Sequence, residues 1–154
     1  MVCLSARADK SLKRNLLEVN SMFSEIQWKT LEALCNRIIP PDDYPGAWEA
    51  GVGSYLSRLL ENEEIAHQTT YRQGLDALEA EAMARFGTPF AALYESLQDE
   101  LLFAIQSGSV RIQWPVSPQG FFSLVVQHTA EGYYSDPANG GNRDAISWRM
   151  IGFV

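Results

Sequence analysis

Residues 24–41 read SEIQWKTLEALCNRIIPP, and this stretch decides the fold class. Ser24 followed three residues later by Gln27 is a capping box, in which each side chain satisfies a backbone amide that the first helical turn leaves free. Ile26, Leu31, Leu34, Cys35 and Ile38 then recur at helical spacing, which predicts one apolar stripe. Pro40 and Pro41 stop the helix, because proline lacks the amide that a continuing helix needs.

The same grammar repeats downstream. Val52, Tyr55, Leu56, Leu59 and Leu60 share one side of a second predicted helix. A longer third runs from about Glu64 to Phe86, with Tyr71, Leu75, Leu78, Ala82 and Phe86 inward, and is closed by Gly87 and Pro89. A fourth spans about Tyr94 to Gln106, carrying Leu97, Leu101, Leu102 and Ile105, and Gly108 stops it. The segment SVRIQW before Pro115 is expected to be a short extended piece. Ser117 caps a fifth helix with Pro118 at its first position, and Phe121, Phe122, Leu124, Val125, His128 and Thr129 lie along it to about Tyr134. The expectation is an all-α protein: a single compact helical domain of about five main helices, with structured loops and a turn-rich C-terminal tail. A basic arm covers residues 1–22 and the helical domain covers 23–154.

Composition agrees and excludes several functions. The 154 residues are 46% hydrophobic and 20% charged, enough to bury a core. A net charge of -7 argues against a nucleic-acid partner, which needs a basic face. Arg7, Lys10, Lys13 and Arg14 against Asp9 and Glu18 give the first twenty residues +2, so the remainder carries -9. No apolar run approaches the roughly 18 residues of a membrane span. SLKRNLL, from Ser11 to Leu17, has a weak twin-arginine look, but polar EVNSMFSE follows it and it is not read as a working signal. Cys3 and Cys35 make no disulfide framework, and Cys35 is expected to be a buried free thiol.

Chemistry-bearing patterns are sparse. Glu64 and His67 form E-x-x-H, and His128 and Glu131 show the reverse order. A di-iron bundle wants two forward pairs plus two further glutamates. A solvated first turn, where glutamate suits the helix dipole, accounts for Glu64 more simply. A metal-dependent helical enzyme using Glu64, His67, His128 and Glu131 therefore stands as the alternative, and no metal, cofactor-binding or catalytic residue is assigned. There is no G-x-S-x-G elbow and no phosphate-cradling glycine loop.

Two loops stand out instead. PPDDYPGAWEAGV packs three prolines and two glycines into thirteen residues, a rigid connection. SDPANGGNRDAISW offers turn-forming Asp136 and Pro137, then Asn139, Gly140, Gly141 and Asn142 as candidates for positive φ. Trp148, Met150, Ile151 and Phe153 follow as an apolar payload of the kind that suits an interface core.

Taken in order, four segments resemble the gluconate 2-dehydrogenase subunit 3 family. They are LEALCNRIIPPDDYPGAWEAGVGSYLSRLL, YRQGLDALEAEAMARFG, PFAALYESLQDELL and GFFSLVVQHTAEGYYSDPANGGNRDAISWRMIGF. The likeness covers nearly everything from Phe23 to Phe153, and the closing motif is its most specific part. It implies a non-catalytic small subunit that binds, stabilises and helps mature or export a large FAD-containing dehydrogenase of the glucose-methanol-choline type, acting on sugars or sugar acids. It leaves room for an iron–sulfur cluster in that large subunit and for a haem-carrying cytochrome c as electron acceptor. It places the complex in the periplasm, with the cytoplasm as the alternative. On this reading Tyr44, Pro45, Gly46 and Trp48 of the first loop form the partner-binding surface together with Asp136, Pro137, Asn139, Gly140, Gly141, Asn142, Trp148, Met150 and Phe153 of the tail. Trp148 is the expected anchor. A free-standing homo-oligomer that uses the same tail on itself is the third possibility.

Overall fold

A computed structural model describes residues 21–154; the basic arm and Cys3 lie outside the described residues, as does the SLKRNLL stretch. Among the described residues there are helices and turns and no strand. We number the α-helices α1 Glu25–Ile38, α2 Val52–Glu61, α3 Gln68–Phe86, α4 Glu95–Gln106, α5 Pro118–Tyr134 and α6 Ile146–Met150. Single 3-10 turns occupy Ile65–His67, Phe90–Ala92, Pro137–Asn139 and Arg143–Ala145.

The local signals act where the sequence puts them. Ser24 Oγ accepts from Gln27 N at 3.1 Å while Gln27 Oε1 accepts from Ser24 N at 2.9 Å, so the capping box is complete. Ser117 Oγ accepts from Gly120 N at 3.0 Å and Pro118 opens α5. Gly87 closes α3 at φ 64°, the left-handed conformation that a glycine takes without steric cost.

Helix α5 is the hub. It packs against α1, α2, α3 and α4, and its Phe121, Val125 and Tyr133 meet Leu31, Leu34 and Cys35 of α1, Leu56 and Leu60 of α2, and Tyr71, Leu75 and Leu78 of α3 in one core. The helices approach closely where a side chain is missing. A Cβ on Gly74 would stand 2.2 Å from the Phe121 ring, so the ring occupies the place a larger residue would fill.

Three expectations need correction. Ile26 is 63% exposed, because it sits in the first turn of α1 along a solvent-open groove with Pro89 and Ala92. Helix α3 begins at Gln68, since the preceding residues form a tighter 3-10 turn that brings the chain round from α2. The SVRIQW segment is not extended. Its backbone bends around the buried carboxylate of Glu81, whose Oε1 accepts from Arg111 N at 2.8 Å, Ile112 N at 2.9 Å and Trp114 Nε1 at 3.2 Å. Arg85 completes the arrangement, pairing with Glu81 Oε2 at 3.1 Å and donating to the Ser109 carbonyl. Burial would raise the Glu81 pKa, but these donors outweigh it and hold the carboxyl below its usual range.

Candidate functional site

The first loop is fixed from α1. Asn36 Oδ1 accepts from Trp48 N at 3.1 Å, and Ala47 N donates to the Ile39 carbonyl at 2.9 Å, so the chain turns back onto the helix it has just left. Trp48 lies flat over Gly53, where a Cβ would come within 2.8 Å of the indole, and meets Trp28 edge-on at 6.2 Å. Gly46 is buried and Tyr44 is 41% exposed.

The tail is organised by a residue that the sequence offered as a turn former and as part of the partner surface. Asn142 is fully buried at φ 45°. Its Nδ2 donates to the Ser135 carbonyl at 2.7 Å, while its Oδ1 accepts from Ser147 N at 2.9 Å and from Ser147 Oγ at 2.7 Å. One amide thereby ties the end of α5 to the start of α6. Asp136 Oδ1 accepts from Ala138 N at 2.9 Å, and Gly140 follows at φ 95°. Gly141 has an ordinary φ; what requires glycine there is contact, since a Cβ would lie 2.1 Å from the Gly132 carbonyl oxygen on α5. Asp144 and Ala145 are also left-handed, at φ 58° and 53°, an unusual run for residues other than glycine.

Loop and tail lie side by side. Tyr133 Oη donates to the Pro45 carbonyl at 2.8 Å and stands 4.0 Å from Met150 Sδ, bridging the two. Arg143 N donates to the Ala50 carbonyl at 2.8 Å and Arg143 Nη1 to the Glu49 carbonyl at 3.3 Å. A shallow groove lined by Trp28, Trp48, Ser54, Ser57 and Arg143 marks the seam. Trp148 is half-buried on its own domain, donating from Nε1 to the Tyr134 carbonyl at 3.2 Å, and Phe153 packs against it edge-on at 5.5 Å. The outward apolar groups are therefore Phe153 at 70% exposure with Ile151 and Val154 beside it. Exposed apolar surface is not confined to the tail, for Tyr94 and Phe103 also face outward.

A second convergence joins the α2–α3 connection to α5. Glu64 and His67, with His128 about sixty residues further along the chain, bring one potential ligand atom each to within 4.8 Å of one another. His128 is buried on α5, and its Nδ1 bonds Tyr71 Oη at 2.8 Å. Burial pushes the His128 pKa down, against the pull of Glu131 and Glu64, which favours the neutral ring. Glu131 is not part of the convergence; its carboxylate accepts from Tyr55 Oη at 3.3 Å and Gln127 Nε2 at 2.9 Å. Cys35 is shut inside the core beside Thr129, and burial pushes its thiol up to about 12, so it is no nucleophile near neutral pH.

Sequence reading missed Arg143 and Glu81 as organising groups, and it missed the tethering role of Asn142. The pattern NGGN flags positive φ, but nothing local shows that the asparagine is buried or what it bonds.

A protein-family model described as Gluconate 2-dehydrogenase subunit 3 matches residues 25–154. No curated protein and no solved structure matches the chain significantly.

Proposed function

The chain belongs to the gluconate 2-dehydrogenase subunit 3 family, and from that membership we propose that it is a non-catalytic small subunit that binds and stabilises a large FAD-containing sugar or sugar-acid dehydrogenase. The flavin, and any iron–sulfur cluster, belong to the large subunit, and a cytochrome c carries electrons onward. The small subunit assists maturation and export, and the assembled complex works in the periplasm.

The observation that carries this reading is the joined loop and tail. Three hydrogen bonds of the buried Asn142 and a tyrosine bridge hold the tail on the domain, yet Ile151, Phe153 and Val154 stand at 66–70% exposure. A rigid support with an uncovered apolar end suits a surface completed by another chain, because immobilised contact groups lose less entropy on binding. Trp148, half-spent on its own domain, becomes a support for Phe153, and Phe153 takes the place of the anchor.

The test is co-purification. The tagged chain is co-expressed with a candidate large flavoprotein subunit, with Phe153→Ser and Ile151→Asp variants in parallel. Both side chains are exposed, so neither change disturbs the core. The native chain should retain a stoichiometric flavoprotein with FAD absorbance and be colourless alone, while both variants lose the partner and keep their helical circular dichroism. Full recovery of active flavoprotein by both variants refutes the tail surface. Stoichiometric flavin on the isolated chain refutes the division of labour. Fractionation of cells expressing the complex tests the location.

A further inference from the structure

We propose that Glu64, His67 and His128 bind one divalent transition-metal ion of the zinc class, which staples the α2–α3 connection to the middle of α5. The inference is independent of the dehydrogenase reading.

The two halves of the site are held separately. Glu64 and His67 flank a 3-10 turn whose backbone is pinned by Glu64 N on the Leu59 carbonyl at 2.9 Å and His67 N on the Glu64 carbonyl at 2.9 Å. Gln68 Nε2 adds a bond to the Leu60 carbonyl at 2.7 Å. His128 stands in the interior of α5, where Tyr71 fixes its ring; the two rings are nearly parallel, 7° apart. The turn and the helix thus present two imidazoles and one carboxylate to a single small volume.

The packing inside that volume is what points to a cation. His67 Nδ1 is buried and has no hydrogen-bond partner. Glu64 Oε2 stands 2.5 Å away, out of line with the ring nitrogen for a hydrogen bond, so a cation between the two would satisfy both. The His67 and His128 rings are 6.0 Å apart and inclined at 58°, so neither stacks on the other to explain their approach. A buried polar atom without a partner costs free energy that an ion would recover.

The donor set selects the ion. Two imidazole nitrogens and one carboxylate oxygen suit zinc and its first-row neighbours rather than calcium or magnesium, which prefer all-oxygen shells. Tetrahedral bonds of about 2.0–2.1 Å separate ligand atoms by about 3.4 Å, so the triad needs side-chain adjustments of about 1 Å to close. Tyr71 is a positioning residue. If it accepts the Nδ1 proton of His128, Nε2 keeps its lone pair for the metal, the arrangement by which outer partners orient metal-bound histidines. The fourth position is left for water.

The experiment uses the tag-free full chain, stripped with chelator and titrated calorimetrically with zinc chloride. One equivalent should bind, and zinc at about 100 times Kd should raise Tm by about 5–10 °C. Cobalt chloride on the same protein should give the visible absorption of a tetrahedral nitrogen–oxygen site. His67→Ala and Glu64→Gln, both at half-exposed positions, should each weaken zinc at least about tenfold and abolish the cobalt spectrum, with unchanged helical circular dichroism. Tyr71→Phe should weaken binding about tenfold while leaving one equivalent bound. The proposal fails if the native chain binds no zinc. It fails equally if His67→Ala and Glu64→Gln bind as the native chain does, the mark of adventitious surface binding.

Discussion

Replacing Asn142 with alanine tests whether the tail is held as the geometry says. The native side chain is fully buried and makes three hydrogen bonds, two of them to Ser147, itself fully buried. Alanine leaves the Ser147 amide and hydroxyl without their acceptor, each at about 1–3 kcal/mol. The hydroxyl can rotate to relieve part of this, and the Ser135 carbonyl is open enough for water. Alanine must also adopt φ 45°, a left-handed conformation that costs about 1 kcal/mol more than in asparagine. The sum is about 3–5 kcal/mol, a fifth or more of the ~5–15 kcal/mol that stabilises a typical domain. Helix α6 has only five residues and cannot persist undocked, so the expected result is release of residues 142–154 while α1–α5 stay folded. Hydrogen exchange should show lost protection at the Ser147 and Ile151 amides, with the α5 core unchanged. Asn142→Gly, which removes the same bonds without the left-handed cost, should be milder by about 1 kcal/mol. A tail that keeps its protection in Asn142→Ala, with a stability loss under about 1 kcal/mol, refutes the assignment of Asn142 as its tether.

Gly141→Ala should release the same segment by a different route, because its Cβ would collide with the Gly132 carbonyl on rigid α5; the cost belongs at the upper end of the ~1–3 kcal/mol of overpacking, read as a fall in the urea midpoint. Glu81→Gln should cost about 3 kcal/mol at neutral pH by breaking a buried ion pair. Its folded pKa is depressed, so the stability it supplies is fully present above the ordinary carboxyl range and lost as pH falls through the folded value; urea titrations of native and variant chains should therefore converge in acid. In a Cys3→Ser chain, the remaining Cys35 should be silent to a thiol reagent at pH 8 and react only on unfolding, since its thiol is fully buried and pushed up to about 12.

The helices, their caps and most of the core were legible because they rest on interactions spanning three or four residues. The Ser24–Gln27 box, Pro118 at the start of α5, and the stripes of Leu31 and Leu34 or Leu75 and Leu78 are local facts that any packing must respect. The family likeness was legible too, because it lies in the order of motifs along the chain, and the family model matches residues 25–154. What the sequence could not fix were contacts between residues far apart. Nothing local singles out Glu81 among the acids of its helix; the 109–114 segment does, by folding over it. Glycine at 141 suggested positive φ, yet the demand comes from α5, nine residues back. Glu64 and His67 read first as a solvated turn and were grouped with His128 and Glu131 only as the alternative; the fold brings His128 to them and leaves Glu131 out. Such meetings depend on how helices cross and how connections bend, which are set by the packing of the whole core. Local propensity decides which helices form; only their mutual packing decides which polar groups they bring face to face.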